Sequence, residues 1–490
     1  MQKSLLVMAM GSILLAACSP LQVKLESKVA VPPQFEHVAA SPDAADVSQW
    51  WLTWHDPVLT QLIQQGLQNN HDLTAARANL QAARANAALA FADLGPTAGV
   101  SAGIDGHHAQ VHNPLSPQTR KILSGLGASG LNRDDLSVTE HSEHASFAAS
   151  WEPDIFGGKR SDADAARYAS MAVTQQWYAV QMLLASDIAD NYFKMRSLQK
   201  RMQIGQNTLA SLTELRRYID GRFKAGQVTD YDVRDVEIKR ESLKAQLATL
   251  QAQADVYQRN LAVLTGQSPQ QFHVPASVDI LNHIPALPSG ETPLSVLNRR
   301  PDVRQQYALI QASSAQLASA KADLLPRFNI QFIGQTGQLR LDSSTPELKG
   351  FGGLISAGVS LPIFTSGRIQ RNIEVHDAQA QAALAHYDQL VLKSLAEVDS
   401  AYQLQSSLTQ QNRYLAQASQ QANAQVSKSS QLFKFGNITL DKVLLARINA
   451  QDIQDRLVQA RLVEAENMLN VYKTLGGGWQ AEQTAAQKNQ

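Results

Sequence analysis

The chain holds a single cysteine in 490 residues. No disulfide can form within it, and no thiolate-rich metal centre can be assembled. Aromatic residues make up only 6%, which argues against a core built on large rings and for thin interfaces between helices rich in alanine and leucine. Charge of either sign is not in excess. Lys plus Arg and Asp plus Glu each total 43, so no long-range field attracts nucleic acid or anionic lipid. Beyond the first 17 residues no apolar run reaches the ~18 that a membrane-spanning helix needs. Any passage through a bilayer must then be made by strands.

The one cysteine is itself informative. Lys3 precedes an apolar stretch, Leu5 to Leu15, and Leu15-Ala16-Ala17-Cys18 supplies small residues at a processing site. Residues 1–17 read as a lipoprotein signal, with Cys18 as the acylated mature N-terminus and the only covalent attachment expected. No other cofactor and no metal is expected. Ser19, rather than aspartate, follows the cysteine, which favours delivery to the outer membrane.

What the chain has in abundance is repetition. Gly221-Arg222-Phe223-Lys224-Ala225-Gly226-Gln227-Val228-Thr229-Asp230 returns as Gln431-Leu432-Phe433-Lys434-Phe435-Gly436-Asn437-Ile438-Thr439-Leu440, 210 positions on. Phe156-Gly157-Gly158-Lys159-Arg160 answers Phe364-Thr365-Ser366-Gly367-Arg368, and Leu264-Thr265-Gly266 answers Thr474-Leu475-Gly476. Pro96 and Pro326 each close an alanine-rich segment and open an alternating one. The expected organisation is a signal at 1–17, an extended segment at 18–49, a first repeat at 50–266, a linker at 267–298, a second repeat at 299–479 and a polar tail at 480–490.

Within each repeat an apolar stripe at steps of three, four and seven predicts a long helix. Leu184, Ile188, Tyr192, Met195 and Leu198 begin the stripe in the first repeat, and Ile373, Ala380, Leu384, Tyr387 and Val391 in the second. The pattern breaks at Gly226 and Gly436 and resumes at heptad spacing, which makes each repeat an antiparallel helical hairpin. Ser161 to Lys224 alone would span roughly 95 Å as helix. Four short segments alternate instead and predict strands: Val100 to Asp105, Ala145 to Trp151, Phe328 to Phe332 and Ile355 to Leu361. The fold class is therefore mainly α with a small β part, internally duplicated. Four strands cannot close a barrel, so a membrane reading requires several chains to contribute to one.

Little in the chain suggests catalysis. Gly157-Gly158-Lys159-Arg160-Ser161 lacks the leading glycine of a phosphate loop. His107, His108, His112, His141 and His144 cluster around the stretch from Gln110 to Glu140, expected to be an outer loop; they match no ligand spacing and are expected to be solvated loop histidines. Arg300-Pro301-Asp302 reads as a helix start, with proline in the first turn and the acid at its positive end.

Several motifs together resemble the TolC-like outer-membrane efflux proteins, in their lipoprotein branch. They are Trp50-Trp51 with Asp56-Pro57, Asn70-His71-Asp72-Leu73, Trp151-Glu152-Pro153-Asp154-Ile155-Phe156-Gly157-Gly158, Arg299-Arg300-Pro301-Asp302-Val303, Leu361-Pro362-Ile363-Phe364 and Tyr472-Lys473-Thr474-Leu475-Gly476-Gly477-Gly478-Trp479. The resemblance covers nearly the whole mature chain. It implies a non-enzymatic homotrimer: twelve strands forming an outer-membrane barrel and long helices forming a periplasmic tunnel. A periplasmic adaptor and an inner-membrane pump of the RND or another type would be its partners. It also implies a gate at the hairpin tips, with Gly226 and Gly436 as structural turns, Asp230, Asp232 and Asp441 as candidate gate residues, and Arg234 or Lys442 as their partners. At least as good a reading of Asp230 and Asp232 is charge stabilisation of a helix N-terminus. Phe433 and Leu445 depart from the tyrosine and aspartate usual there. A duct for small molecules is the favoured function. The alternatives are a duct for type I protein secretion and a structural envelope lipoprotein.

Overall fold

The computed structural model describes residues 23, 25–39, 41, 45–128, 132–277, 279–341 and 348–480. Cys18 and the signal lie outside them. After a 3-10 turn at Trp50–Trp54 come α1 (Pro57–Asn69), α2 (His71–Ala92), β1 (Thr97–His112), α3 (Pro117–Gly125), β2 (Asp135–Trp151), α4 (Gly158–Lys224) and α5 (Asp230–Leu264). The second half gives α6 (Pro293–Arg299), α7 (Pro301–Ala322), β3 (Arg327–Leu341), β4 (Leu348–Ser360), α8 (Arg368–Lys434) and α9 (Leu440–Thr474). The duplication is near-exact in length. Helices α2 and α7 have 22 residues each, α4 and α8 have 67 each, and α5 and α9 have 35 each. None of the described helices is long and apolar enough to cross a membrane.

Contacts divide the chain into two compact units, each drawing on both repeats. Among the described residues the first consists mainly of Ala85–Arg167 and Ala312–Ala380, the second of Leu25–Arg84, Tyr168–Gln311 and the chain from Gln381 onward.

The first unit carries one antiparallel sheet in the order β1-β2-β3-β4. All four expected strands are present, and each extends well past its apolar alternation. Thr97 faces Ser150 at one end of the β1–β2 ladder and His112 faces Asp135 at the other. The five histidines expected in a loop therefore stand on strands. The loop is confined to residues 113–134 and contains α3. The extension has a backbone cause: ladder hydrogen bonds continue where alternation of apolar and polar side chains no longer marks the strand.

The second unit is held by a core in which the N-terminal segment wedges onto the long helices. Trp50 stacks on Tyr472 of α9 at 5.2 Å between ring centroids, and Trp54 meets Phe193 of α4 at 4.4 Å. The Asp56 carboxylate caps α1 by accepting from the Val58 and Leu59 N–H groups at 2.8 and 3.1 Å, with Pro57 in the first turn. Helix α7 does start at Pro301. Arg300, nearly buried, reaches Asp302 at 2.7 Å and Glu397 of α8 at 2.9 Å. Burial opposes its charge, but the hydrogen bonds and charges of these two acids outweigh burial and raise its pKa.

Equivalent tyrosines on α4 and α8 anchor chain near the start of each repeat, inside it at Asp56 and just before it at Pro288. Tyr192 donates its hydroxyl to Asp56 Oδ2 at 2.8 Å, and Tyr402 donates to the Pro288 carbonyl at 2.8 Å. Burial pushes the Tyr192 hydroxyl up to about 12 and raises that of Tyr402 too, so both remain donors at all ordinary pH. A hydrogen bond to a charged acceptor is worth about 1.5–3 kcal/mol and one to a neutral acceptor about 1 kcal/mol. Tyr192→Phe should therefore lower the thermal midpoint of the detergent-solubilised protein more than Tyr402→Phe, as read by differential scanning fluorimetry. Equal or reversed shifts would contradict a charged anchor at Asp56.

Candidate functional site

Two surfaces carry the functional geometry, one in each unit. The first is the sheet. Its register has no bulge, so alternate residues define two faces throughout. One face carries Val100, Ile104, Phe147, Trp151, Phe332, Phe351, Ile355 and Val359, all exposed. Phe351 to Val359 covers roughly 27 Å at about 3.4 Å per residue. At the ~40° tilt of barrel strands this becomes about 20 Å of height, close to the ~25 Å apolar band of an outer-membrane barrel.

The opposite face is small and polar. Thr97 and Ser150 share a hydroxyl–hydroxyl hydrogen bond of 2.9 Å, and Ser101 and Ser146 one of 2.7 Å. Gln331, Gln335 and Ser356 continue it, and the paired Ile333 and Leu354 interrupt it. Beyond the apolar band its face turns polar, and the opposite face mixes charged residues with apolar ones such as the paired Leu339 and Leu348. Glu143 accepts from Gln338 on one, and His144 Nδ1 lies 3.2 Å from Asp105 on the other. The histidines divide between faces: His108, His112 and His141 fall on the first, His107 and His144 on the second. His108 bonds Thr139 and His112 bonds Asp135, so the two are held by separate partners. Within one chain β1 and β4 each keep one unpaired edge.

The second surface is the pair of hairpin tips. Both long helices end alike. The Gly226 and Gly436 N–H groups donate to the Phe223 and Phe433 carbonyls, while Gln227 and Asn437 donate to Arg222 and Leu432, each at 2.9 Å. That is the Schellman pattern, and it requires the left-handed φ of 73° at Gly226 and 74° at Gly436. Each glycine thus stands at the reversal between two long helices. Thr229 and Thr439 then begin α5 and α9. Leu212, Leu215 and Ile219 of α4, Val233 and Val236 of α5 and Leu444 of α9 form a small core joining the tips.

The three candidate acids hold three different partners. Asp232 accepts from the Thr229 N–H at 2.9 Å and its hydroxyl at 2.8 Å, and these bonds, the backbone one first, hold its carboxyl below the usual range. Asp230 pairs with Arg234 one turn along α5 at 2.5 Å. Asp441 reaches across hairpins to Arg222 of α4 at 3.8 Å, and its side chain is only 17% exposed. Arg222, rather than Lys442, is thus the partner that the sequence did not reveal. The available signal was the mismatch in the repeat, where Arg222 stands opposite Leu432. Leu445, at a position where the resemblance leads one to expect an acid, is partly exposed.

A sheet with free edges and one lipid-compatible face, in a duplicated chain of long helical hairpins, defines the subunit of an outer-membrane channel. Comparison with known proteins agrees. The chain is 28% identical over 472 residues to the pyoverdine export outer membrane protein OpmQ of Pseudomonas aeruginosa, covering 96% of each. It is 28% identical over 501 residues to the toluene efflux pump outer membrane protein TtgC of Pseudomonas putida, covering all of this chain and 98% of that one. The solved outer-membrane channel OprN superposes with a TM-score of 0.76 at 26% identity, over 94% of this chain and 100% of that one. The model of the outer membrane efflux protein family matches residues 62–267 and 293–477, and the chain belongs to that family. It is an outer-membrane efflux channel component, not an enzyme.

Two outcomes test these surfaces. Ile355→Lys on the apolar face should cost about 2–4 kcal/mol at mid-bilayer and reduce the heat-modifiable, membrane-inserted fraction, while Ser356→Lys, one residue on, should insert normally; equal behaviour would contradict the assignment of faces. At the tip, Asp232 has a lowered folded pKa, so its contribution is present above the unfolded value of about 3.9 and lost as pH falls through the folded one. Asp232→Asn should abolish that acid dependence of amide protection in the first turn of α5, measured by hydrogen exchange, and leave α9 unchanged.

Proposed function

We propose that three copies of this chain close a twelve-stranded barrel and act as the passive outer-membrane duct of a tripartite efflux system for small organic molecules. The observation that carries this reading is the four-stranded sheet, apolar on one exposed face and open at both edges. Inside lipid each unpaired backbone group costs several kcal/mol, so the edges demand partners, and a second copy offers complementary ones. The helical hairpins would form the periplasmic conduit. Their tips, tied by Arg222–Asp441 and the small apolar core, would form its closed end, where a periplasmic adaptor and an inner-membrane pump of the RND type engage. The named exports of the relatives, pyoverdine and toluene, are small organic compounds, which supports the cargo class. An acyl chain on Cys18 would add anchorage to that of the barrel; no cofactor is called for, since the duct performs no chemistry.

Purified trimer added to a planar bilayer, with insertion verified and adaptor present, should give discrete current steps. Silence from verified trimers would overturn the duct. Cys18→Ala should weaken membrane anchorage while the trimer persists on native gels; loss of the trimer would mean that lipid, not packing, assembles it.

A further inference from the structure

The duplication places a contact inside one chain that has an unfilled counterpart. Strands β2 and β4 end at Trp151 and Ser360, and each is followed two residues later by proline, Pro153 and Pro362, before a turn into a long helix. The first of these linkers is covered in part: Ile155 stays exposed, while Phe156 is half-buried. It docks where α7 passes into β3: Phe156 lies 6.4 Å from Phe328 between ring centroids, and Glu152 faces Arg327 at 4.0 Å. A Cβ on Gly158, which opens α4, would stand 3.2 Å from the Ala322 Cβ. The end of α7 is correspondingly closed, with Leu317 fully buried and Ala318, Ala320 and Ala322 nearly so.

The counterparts of both partners lie open. Ile363 and Phe364 in the second linker are 93% and 87% exposed, although they are among the most apolar residues of the unit. The passage from α2 into β1 matches that from α7 into β3 residue for residue at Ala92-Asp93-Leu94 and Pro96 against Ala322-Asp323-Leu324 and Pro326. Ala92, the counterpart of buried Ala322, is exposed, and so are Leu89 and Phe91 at 64% and 69%, where α7 carries Ser319 and Lys321 instead. The second linker leaves from β4 and the open passage leads into β1, and these two strands hold the free edges of the sheet. β1 leads away from its passage, and β4 leads towards its linker. Antiparallel pairing of β4 with the β1 of another copy would thus bring linker and passage to the same end of the ladder.

We infer that the Leu361–Phe364 linker of one copy docks on the α2–β1 passage around Leu89 and Phe91 of a second copy, repeating between chains the contact that the first linker makes within one. This rests on the reading that several copies share one barrel. It adds to that reading an apolar seam at the base of the strands, and it gives the exposed apolar residues on both sides a common occupant. Lipid is the competing occupant. It accounts less well for the pairing, because Phe156, the counterpart of Phe364, packs on Phe328 within one chain, and Ala322 is buried where its counterpart Ala92 is exposed.

The test is site-specific photo-crosslinking in the full chain, with p-benzoylphenylalanine in place of Phe364. Ultraviolet light should yield covalent dimers and trimers whose cross-linked peptides derive from residues 85–98 of another copy. Adducts to lipid alone, or to another segment, in a protein that native mass spectrometry shows to be trimeric would overturn the seam and leave the trimer standing. A wild-type protein that is monomeric by the same mass measurement would overturn the reading beneath it. Independently, the pair Leu89→Cys with Phe364→Cys should give a reducible ladder on oxidation that neither single variant gives. Phe364→Ser should lower the temperature at which the trimer dissociates in SDS while sparing the conductance of trimers that remain. A trimer as heat-resistant as wild type would count against the seam.

Discussion

Backbone hydrogen bonding at the two outer strands is the constraint on which the rest depends. Four strands with a lipid-compatible face leave one row of N–H and C=O groups unpaired at β1 and another at β4, and nothing in a bilayer core can satisfy them. One chain therefore cannot be the functional object. The β-hairpin that each repeat contributes is too small to stand alone, and two joined in sequence still leave two edges. The helices inherit the consequence, because each strand pair is continued by helix on both sides, and any closed arrangement of strands also fixes how many hairpins are brought together.

Much of this was legible in the sequence, and the reasons for the limits are physical. The duplication could be read because tight turns need particular residues: the Gly226 and Gly436 positions recur because only a left-handed residue closes that helix end. Strand centres were legible where one face is apolar. Their outer ends were not, since His107 and His108, or Glu140 and His141, put polar groups on both faces while the ladder continues beneath. The partition into units was also hidden, because each unit takes residues from both repeats and its limits fall inside helices, where no proline, glycine or change of composition marks them. The Arg222–Asp441 pair joins residues distant in sequence, and only packing of the two tips could disclose it.

The tips show what duplication permits. Their backbones are nearly superposable in pattern, with the same helix-ending hydrogen bonds and the same threonine at the next helix start. Their charges are not repeated. Asp230, Asp232 and Arg234 correspond to Leu440, Lys442 and Leu444, so one tip carries its acids at the helix start and the other sends a single acid to its neighbour. Exposed ion pairs contribute little to stability, and the apolar core beneath them does most of the holding. Polar changes can therefore alter the surface that the tips present without dismantling the turns that shape them.

The equal lengths of the paired helices carry a further implication. Two 67-residue helices and two 35-residue helices share their tips, and a heptad added to one alone would make it about 10 Å longer than its twin. Length change in the helical parts must then arise in both repeats at once or not at all. The segments at 113–134 and 342–347 are under no such rule, and they already differ several-fold in size. Divergence in chain length among proteins of this architecture should accordingly collect at the strand connections, making that end the place where new recognition can be added without retuning the rest.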